Sequence, residues 1–287
     1  MVVFAHWSRS TPAALFVATA FMALIVLPTS AVAQQSSGWV EFGTHLQNQS
    51  DGPALAVVSP VASGYLQVTE TLYLEATVPA VGLVVLSGDE THDLGDRHNI
   101  DTQIGNPFLG FGASHEFRGW EMKYSGGVGL PLGVPGGLST YIFAEGMRGG
   151  WDPWLWSPRR LTPVIGVSGR HWLDETIRLG IHAKTGIMFW FGDGSAPREF
   201  AHQLAIEIAT APRENIEIGL RNRTVLSRFL ASQGQRVAQN SVELFGQLEA
   251  REQFYQARLT VPLNEPHGFG FSSGGIWGLH LGAGMRF

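Results

Sequence analysis

Hydrophobic and polar residues alternate with a period of two along most of this chain. Read back from the C-terminus, Phe287, Met285, Ala283, Leu281, Leu279 and Trp277 are apolar, and Arg286, Gly284, Gly282, His280 and Gly278 between them are small or polar. Successive side chains of an extended strand point to opposite sides, so the pattern predicts a strand with two unlike faces. The same alternation runs through 72–84, 106–117, 120–132, 160–171, 176–190, 199–210, 214–224, 241–250 and 252–262. In 176–190, for example, Leu179, Ile181 and Ile187 oppose Arg178, His182 and Lys184. Two less regular segments, 38–47 and 54–68, precede these, and Pro60 in the second argues against a central strand because proline cannot donate to a ladder.

The connections carry a second pattern. Working back from Phe287, short turns fall near 250–251, 211–213, 172–175, 118–119 and 69–71. Between them lie mostly longer segments, at 263–275, 226–240, 191–198, 133–159, 85–105 and 48–53, rich in Gly, Asp and Pro. An even count of about twelve strands, with short turns at one end and long loops at the other, is the organisation of an antiparallel up-and-down transmembrane β-barrel.

Alternation alone does not say which face is outside, since a soluble barrel has the same pattern with its apolar face inward. Three features favour a membrane. The polar faces carry large charges of both signs, and the apolar faces carry none at mid-strand; an Arg or Lys facing lipid at mid-depth costs roughly 2–4 kcal/mol. Aromatic residues gather near strand ends, at Trp39, Trp120, Trp172, Trp190, Phe191, Phe200, Trp277 and Phe287, as interfacial girdles do. A closed barrel also leaves no unpaired edge in lipid.

Composition narrows the class further. The 287 residues include 36 glycines, no cysteine and 15% charged residues, with a net charge of -5. No basic cluster suggests a nucleic-acid partner, and neither a disulfide framework nor a thiolate metal site is available. At the N-terminus, Arg9 is followed by the apolar run Ala13–Leu27, by Pro28 and by the small-residue pattern Ala31-Val32-Ala33. Residues 1–33 therefore read as a cleavable signal peptide and 34–287 as the barrel. The apolar run is short of the roughly 20 residues a spanning helix needs. The expected location is the outer membrane of a Gram-negative bacterium. The expected partners are outer-membrane lipid and the barrel assembly machinery, the latter through the C-terminal signal Trp277, Leu279, Leu281, Met285 and Phe287.

The inward phase collects candidate lumen-lining residues: Glu75, Glu116, Glu121, Lys123, Arg170, Arg178, His182, Lys184, Glu207, Glu217, Arg221, Arg223, Glu243, Glu249, Arg258 and His280. Opposite signs in near balance predict a hydrated, cross-linked interior. About twelve strands lies between the side-chain-filled barrels of 8 and the open ones of 16–18, so a narrow or plugged pore is expected. Loop 133–159 stands out. Ser139 to Met147 loses the strand phase and fits a short helix, and Trp151, Trp154 and Trp156 follow. These tryptophans either fold into the mouth or anchor the outer interface. Loop 85–105 carries Asp89, Glu90, His92, Asp93, Asp96 and Asp101 without EF-hand spacing, so it reads as a solvated acidic loop and no cofactor or metal is expected.

The run Tyr73-Leu74-Glu75-Ala76-Thr77-Val78-Pro79, followed by the acidic loop and by Gly105-Asn106-Pro107-Phe108-Leu109-Gly110, resembles outer-membrane proteins of the phenol-degradation meta-pathway family. These look distantly like long-chain fatty-acid transport channels. The resemblance implies a narrow passive channel or transporter for small solutes, hydrophobic ones among them, and names no binding site. A non-conducting structural or adhesion barrel is the alternative. A membrane-embedded hydrolase fits less well. His115, His171 and His202 fall in the lipid-facing phase, Ser114 points away from His115, and no Ser and His stand two apart on one face, whereas nucleophile and base must be within hydrogen-bond reach.

Overall fold

The computed structural model describes residues 36–47, 54–87, 101–133, 151–157, 159–190, 198–227, 237–264, 271 and 275–287. The strands are β1 (Ser37–Gln47), β2 (Ala54–Gln67), β3 (Leu72–Ser87), β4 (Asp101–Ile104), β5 (Phe108–Phe117), β6 (Trp120–Gly129), β7 (Arg160–Trp172), β8 (Ile177–Trp190), β9 (Glu199–Arg213), β10 (Ile216–Ser227), β11 (Val237–Ala250), β12 (Gln253–Pro262) and β13 (Trp277–Arg286). A four-residue helix, α1 (Pro153–Trp156), precedes β7. Apart from β4 and β5, which both pair with β3, each strand pairs antiparallel with its sequence neighbour, and β13 returns to β1 from Ser37↔Arg286 to Leu46↔Trp277. Twelve strands thus close a barrel. Strand β4 extends the wall beyond β5: β3 pairs with β5 over Leu72–Thr77 and with β4 over Ala80–Leu83. The break between them is Gly105–Pro107, where the Gly105 N–H donates to the Pro79 carbonyl at 2.9 Å.

Exposure settles which face is outside. Along β9, Leu204, Ile206 and Ile208 are 45%, 56% and 50% exposed, while Gln203, Ala205 and Glu207, which alternate with them, are 2%, 1% and 1% exposed. The apolar set faces outward in the other strands as well, at Leu109, Phe111, Ile165, Ile181, Leu220, Leu244 and Leu281. A water-soluble barrel would bury these residues, so the outward band is a surface for hydrocarbon. The expectation against Pro60 is overturned. It lies within β2, between two neighbours, and the β2–β3 ladder skips Ser59 and Pro60 between Val58↔Gly82 and Val61↔Pro79, where no donor is needed. The girdle assignment also needs correction. Trp39 shares the inward phase of Glu41 and packs against buried Phe254 at 6.5 Å, and Trp190 pairs in register with buried Arg160. Position near a strand end does not fix which face a residue occupies.

Inside the barrel, large side chains lie across glycines of neighbouring strands. A Cβ on Gly180 would stand 2.3 Å from Glu207 Cγ, and one on Gly278 would stand 2.3 Å from the His45 ring. Glycines such as Gly180 and Gly278 are therefore sockets that let the interior hold the Glu207 and His45 side chains. The short turns sit where the alternation placed them. Arg118 (φ 51°) and Gly119 (φ 77°) turn β5 into β6, and glycine tolerates the left-handed backbone there. At the β7–β8 turn, Asp174 Oδ1 accepts from the Thr176 and Ile177 N–H groups at 2.7 Å and from the Thr176 hydroxyl at 2.9 Å.

Candidate functional site

The lumen has two unlike halves. One is a chain of ion pairs running across β8 to β13 and onto β1. Arg178 holds Glu217 through Nε and Nη2 at 2.9 and 2.6 Å, and donates to Glu207 at 2.6 Å. Glu207 also receives Arg221 at 2.6 Å, and His182 Nε2 lies 3.2 Å from the same carboxylate. Arg221 continues to Glu243 at 2.7 Å, which is met by Arg223 at 2.6 Å. Arg258 bonds Glu41, whose other oxygen lies 2.9 Å from His280 Nδ1, and His280 Nε2 lies 3.2 Å from His45 Nε2. Register explains the run, since Gly180↔Glu207, Glu207↔Arg221 and Arg221↔Glu243 are direct cross-strand partners on the inward face. Charge-assisted bonds of this kind are the stronger class, and the pairing offsets the cost of enclosing the charges.

The other half, on β2 to β8, is built differently. Tyr65 and Tyr73 stack with centroids 4.5 Å apart, and the buried Tyr73 donates its hydroxyl to the Tyr124 carbonyl at 3.2 Å. Lys123 Nζ stands 5.4 Å from the Tyr65 ring. With Glu75, Ser125, Ser168, His182 and Lys184, these residues line a cavity of about 210 Å³.

Helix α1 stands inside the barrel. Trp154, Leu155 and Trp156 are 2%, 6% and 0% exposed and pack with Val57, Val61, Val81, Phe108, Val164 and Ile276. Trp154 and Trp156 are thus buried with α1 rather than exposed at the surface. The clamp is Asn106. Its amide donates to the Trp154 carbonyl at 3.1 Å and to the Ser157 carbonyl, its oxygen accepts from the Gly133 N–H at 2.9 Å, and its own N–H donates to the Leu155 carbonyl at 2.8 Å. At the other end of α1, Asp152 reaches Lys184 at 3.4 Å. With its amide oxygen turned to the Asp152 N–H, Gln203 accepts at 2.5 Å and donates to Oδ1 at 3.3 Å. Trp151 lies under the Arg223 guanidinium, 4.7 Å from the ring centroid.

The remaining expected residues sort by height. Glu116 and Glu121 face each other across β5 and β6 beside the short turn, and Glu121 pairs in register with Arg170. Glu249 takes a bidentate contact from Arg286 at 2.7 and 2.8 Å near the same end. Leu279, Leu281, Met285 and Phe287 are exposed on the outer face, in phase with Trp277. His202 Nδ1 meets the Thr185 hydroxyl at 3.1 Å and His171 Nδ1 meets the Gly119 carbonyl at 2.8 Å, so neither histidine is seated on a serine. The proposed helix at Ser139–Met147 and the acids from Asp89 to Asp96 lie outside the described residues. Sequence reading missed Glu41, His45, Tyr65, Asn106, Asp152 and Gln203. Glu41 and His45 share one phase of the 38–47 alternation and were legible there. Asn106 sits in the Gly105-Asn106-Pro107 interruption, which marks a break in the strand and gives no hint of the clamp.

No family model matches the chain, and no curated protein does. Among solved structures, the COG4313 outer membrane channel from Pseudomonas putida F1 is similar with a TM-score of 0.62 at 12% identity, over 91% of this chain and 100% of that one. The NanC porin is similar with a TM-score of 0.53 at 5% identity, over 86% and 100% of the two chains. These likenesses concern fold: the chain has the architecture of outer-membrane β-barrels.

Proposed function

We propose that this chain is a narrow, passive outer-membrane channel for small solutes, with α1 acting as an inserted constriction. The observation that carries the reading is α1 itself, lodged inside the wall by Asn106 on one side and by Lys184 and Gln203 on the other. The ion-paired half of the lumen beside it supports a wetted path. The resemblance to the phenol-degradation family pointed to hydrophobic cargo. The described lumen is rich in paired charge, hydroxyls and imidazoles, and that lining favours solutes with polar groups. Reconstitution into planar bilayers tests the reading: small, discrete conductance steps are expected, growing when Asn106→Ala loosens α1. Silence from both proteins would leave a non-conducting structural barrel, a reading that the thorough ion pairing from Glu217 to His280 favours.

The reading carries an export route with it. Cleavage after Ala33 gives a mature protein starting at Gln34, which N-terminal sequencing of membrane-extracted protein checks. The outward apolar face of β13, at Leu279, Leu281 and Met285, supports recognition by the barrel assembly machinery, and the outward apolar band supports a lipid environment.

A further inference from the structure

The two halves of the lumen differ in how their charges are satisfied. Along β8 to β1 the inward acids Glu207, Glu243 and Glu41 each meet a basic partner. In the cavity on the other side, Glu75 and Lys123 have no ion-pair partner within 4.0 Å among the described residues. Both border the same aromatic platform. Glu75 is the cross-strand partner of Tyr65, and Lys123 Nζ stands over the Tyr65 ring. The platform is preorganised, because Tyr73 stacks on Tyr65 and is tied to the Tyr124 carbonyl. Ser125 and Ser168 add hydroxyls to the same wall, and Lys184, engaged by Asp152, ties the cavity to α1.

A carboxylate and an ammonium facing one small cavity, held apart and flanked by stacked rings, are complementary to a ligand carrying both charges and an apolar face. We propose that this cavity is a binding site for small zwitterions of the α-amino-acid class with aromatic or bulky apolar side chains. The ligand carboxylate meets Lys123, its ammonium meets Glu75, and its side chain lies on Tyr65 and Tyr73. A plain carboxylic acid would meet repulsion from Glu75, and a plain amine repulsion from Lys123, so both charges are needed for selection. The inference rests on the channel reading only in making the bound molecule a transported one.

Calorimetric titration of the full mature barrel in detergent micelles tests the site, with L-phenylalanine, phenylacetate and phenethylamine as probes. Phenylalanine should bind more tightly than either single-charge probe. Glu75→Gln and Lys123→Gln should each weaken phenylalanine by about tenfold, the loss of one charged hydrogen bond. Glu75→Gln should strengthen phenylacetate, and Lys123→Gln should strengthen phenethylamine. Equal binding of the three probes, or no binding, by the unaltered protein would overturn the proposal without recourse to any variant. Binding without conductance keeps the site and removes the channel. Conductance without binding keeps the channel and removes the site.

Discussion

The Asn106 amide donates to the Trp154 carbonyl across 48 positions of sequence, fastening a turn of helix to the inside of a strand wall. The same side chain serves the Ser157 carbonyl and the Gly133 N–H. Asn106→Ala orphans these groups, and each buried polar group left without a partner costs about 1–3 kcal/mol. The expected result is release of α1 with the barrel intact. Because the chain has no cysteine, Leu155→Cys provides a clean reporter. It should resist maleimide labelling in the otherwise unaltered protein and label rapidly alongside Asn106→Ala. Equal labelling rates would show that Asn106 does not hold the helix.

Glu207 and Gly180 are coupled by space. Glu207 lies over the glycine and satisfies Arg178 and Arg221. Glu207→Ala removes one side of a buried pair, a change costing about 3–5 kcal/mol. Gly180→Ala puts a methyl group into the Glu207 side chain and should destabilise as well. In the Glu207→Ala background the added methyl has room, so the double variant should be much less destabilised than the sum of the singles. Midpoints of heat-induced mobility shift in gels measure this. Strict additivity would dismiss the socket relationship.

Ile206 reports the orientation of the wall. It is 56% exposed at the middle of β9. Ile206→Arg should cost roughly 2–4 kcal/mol in the folding equilibrium in lipid vesicles, as expected for a cation at mid-bilayer. A penalty near zero would mean that this face meets water.

Asp174 gives a prediction in pH. The Thr176 N–H, then the Ile177 N–H, then the Thr176 hydroxyl hold its carboxyl below the ordinary value of 3.8. A group depressed in the folded state contributes stability at pH values above its unfolded pKa and loses that contribution as pH falls through the folded one. The Thr176 and Ile177 amide resonances in micelles should therefore shift with a midpoint below 3.8, and Asp174→Asn should abolish the transition. A midpoint at or above 3.8 would contradict the turn geometry.

Much of the wall was legible because each strand writes its two environments into alternate letters. The ten regular segments, and even the weaker 38–47, fall within a few residues of β1 to β13, apart from the four-residue β4. The largest shift is at β11, which begins at Val237, four residues before the alternation becomes clear at 241. Pairs such as Arg178 with Glu207 could be assigned to one face but not to each other, since sequence gives phase and not register. The place of α1 was not legible. A helix of four residues has too little periodicity to read, and what fixes it is a side chain far away at Asn106. Trp39 and Trp190 were misplaced by arguing from height along a strand when parity with Glu41 and Arg160 held the answer.

The Phe287 N–H donates to the Ser36 carbonyl at 2.9 Å, beside the β1–β13 ladder. In the finished cylinder every long strand has a companion on each side, so the wall keeps no memory of where translation began. Joining Ser36 to Phe287 and reopening the polypeptide at Glu214 would trace the same closed surface with a different starting point. A circular permutant cut there should still insert, provided that its new final strand is accepted for assembly.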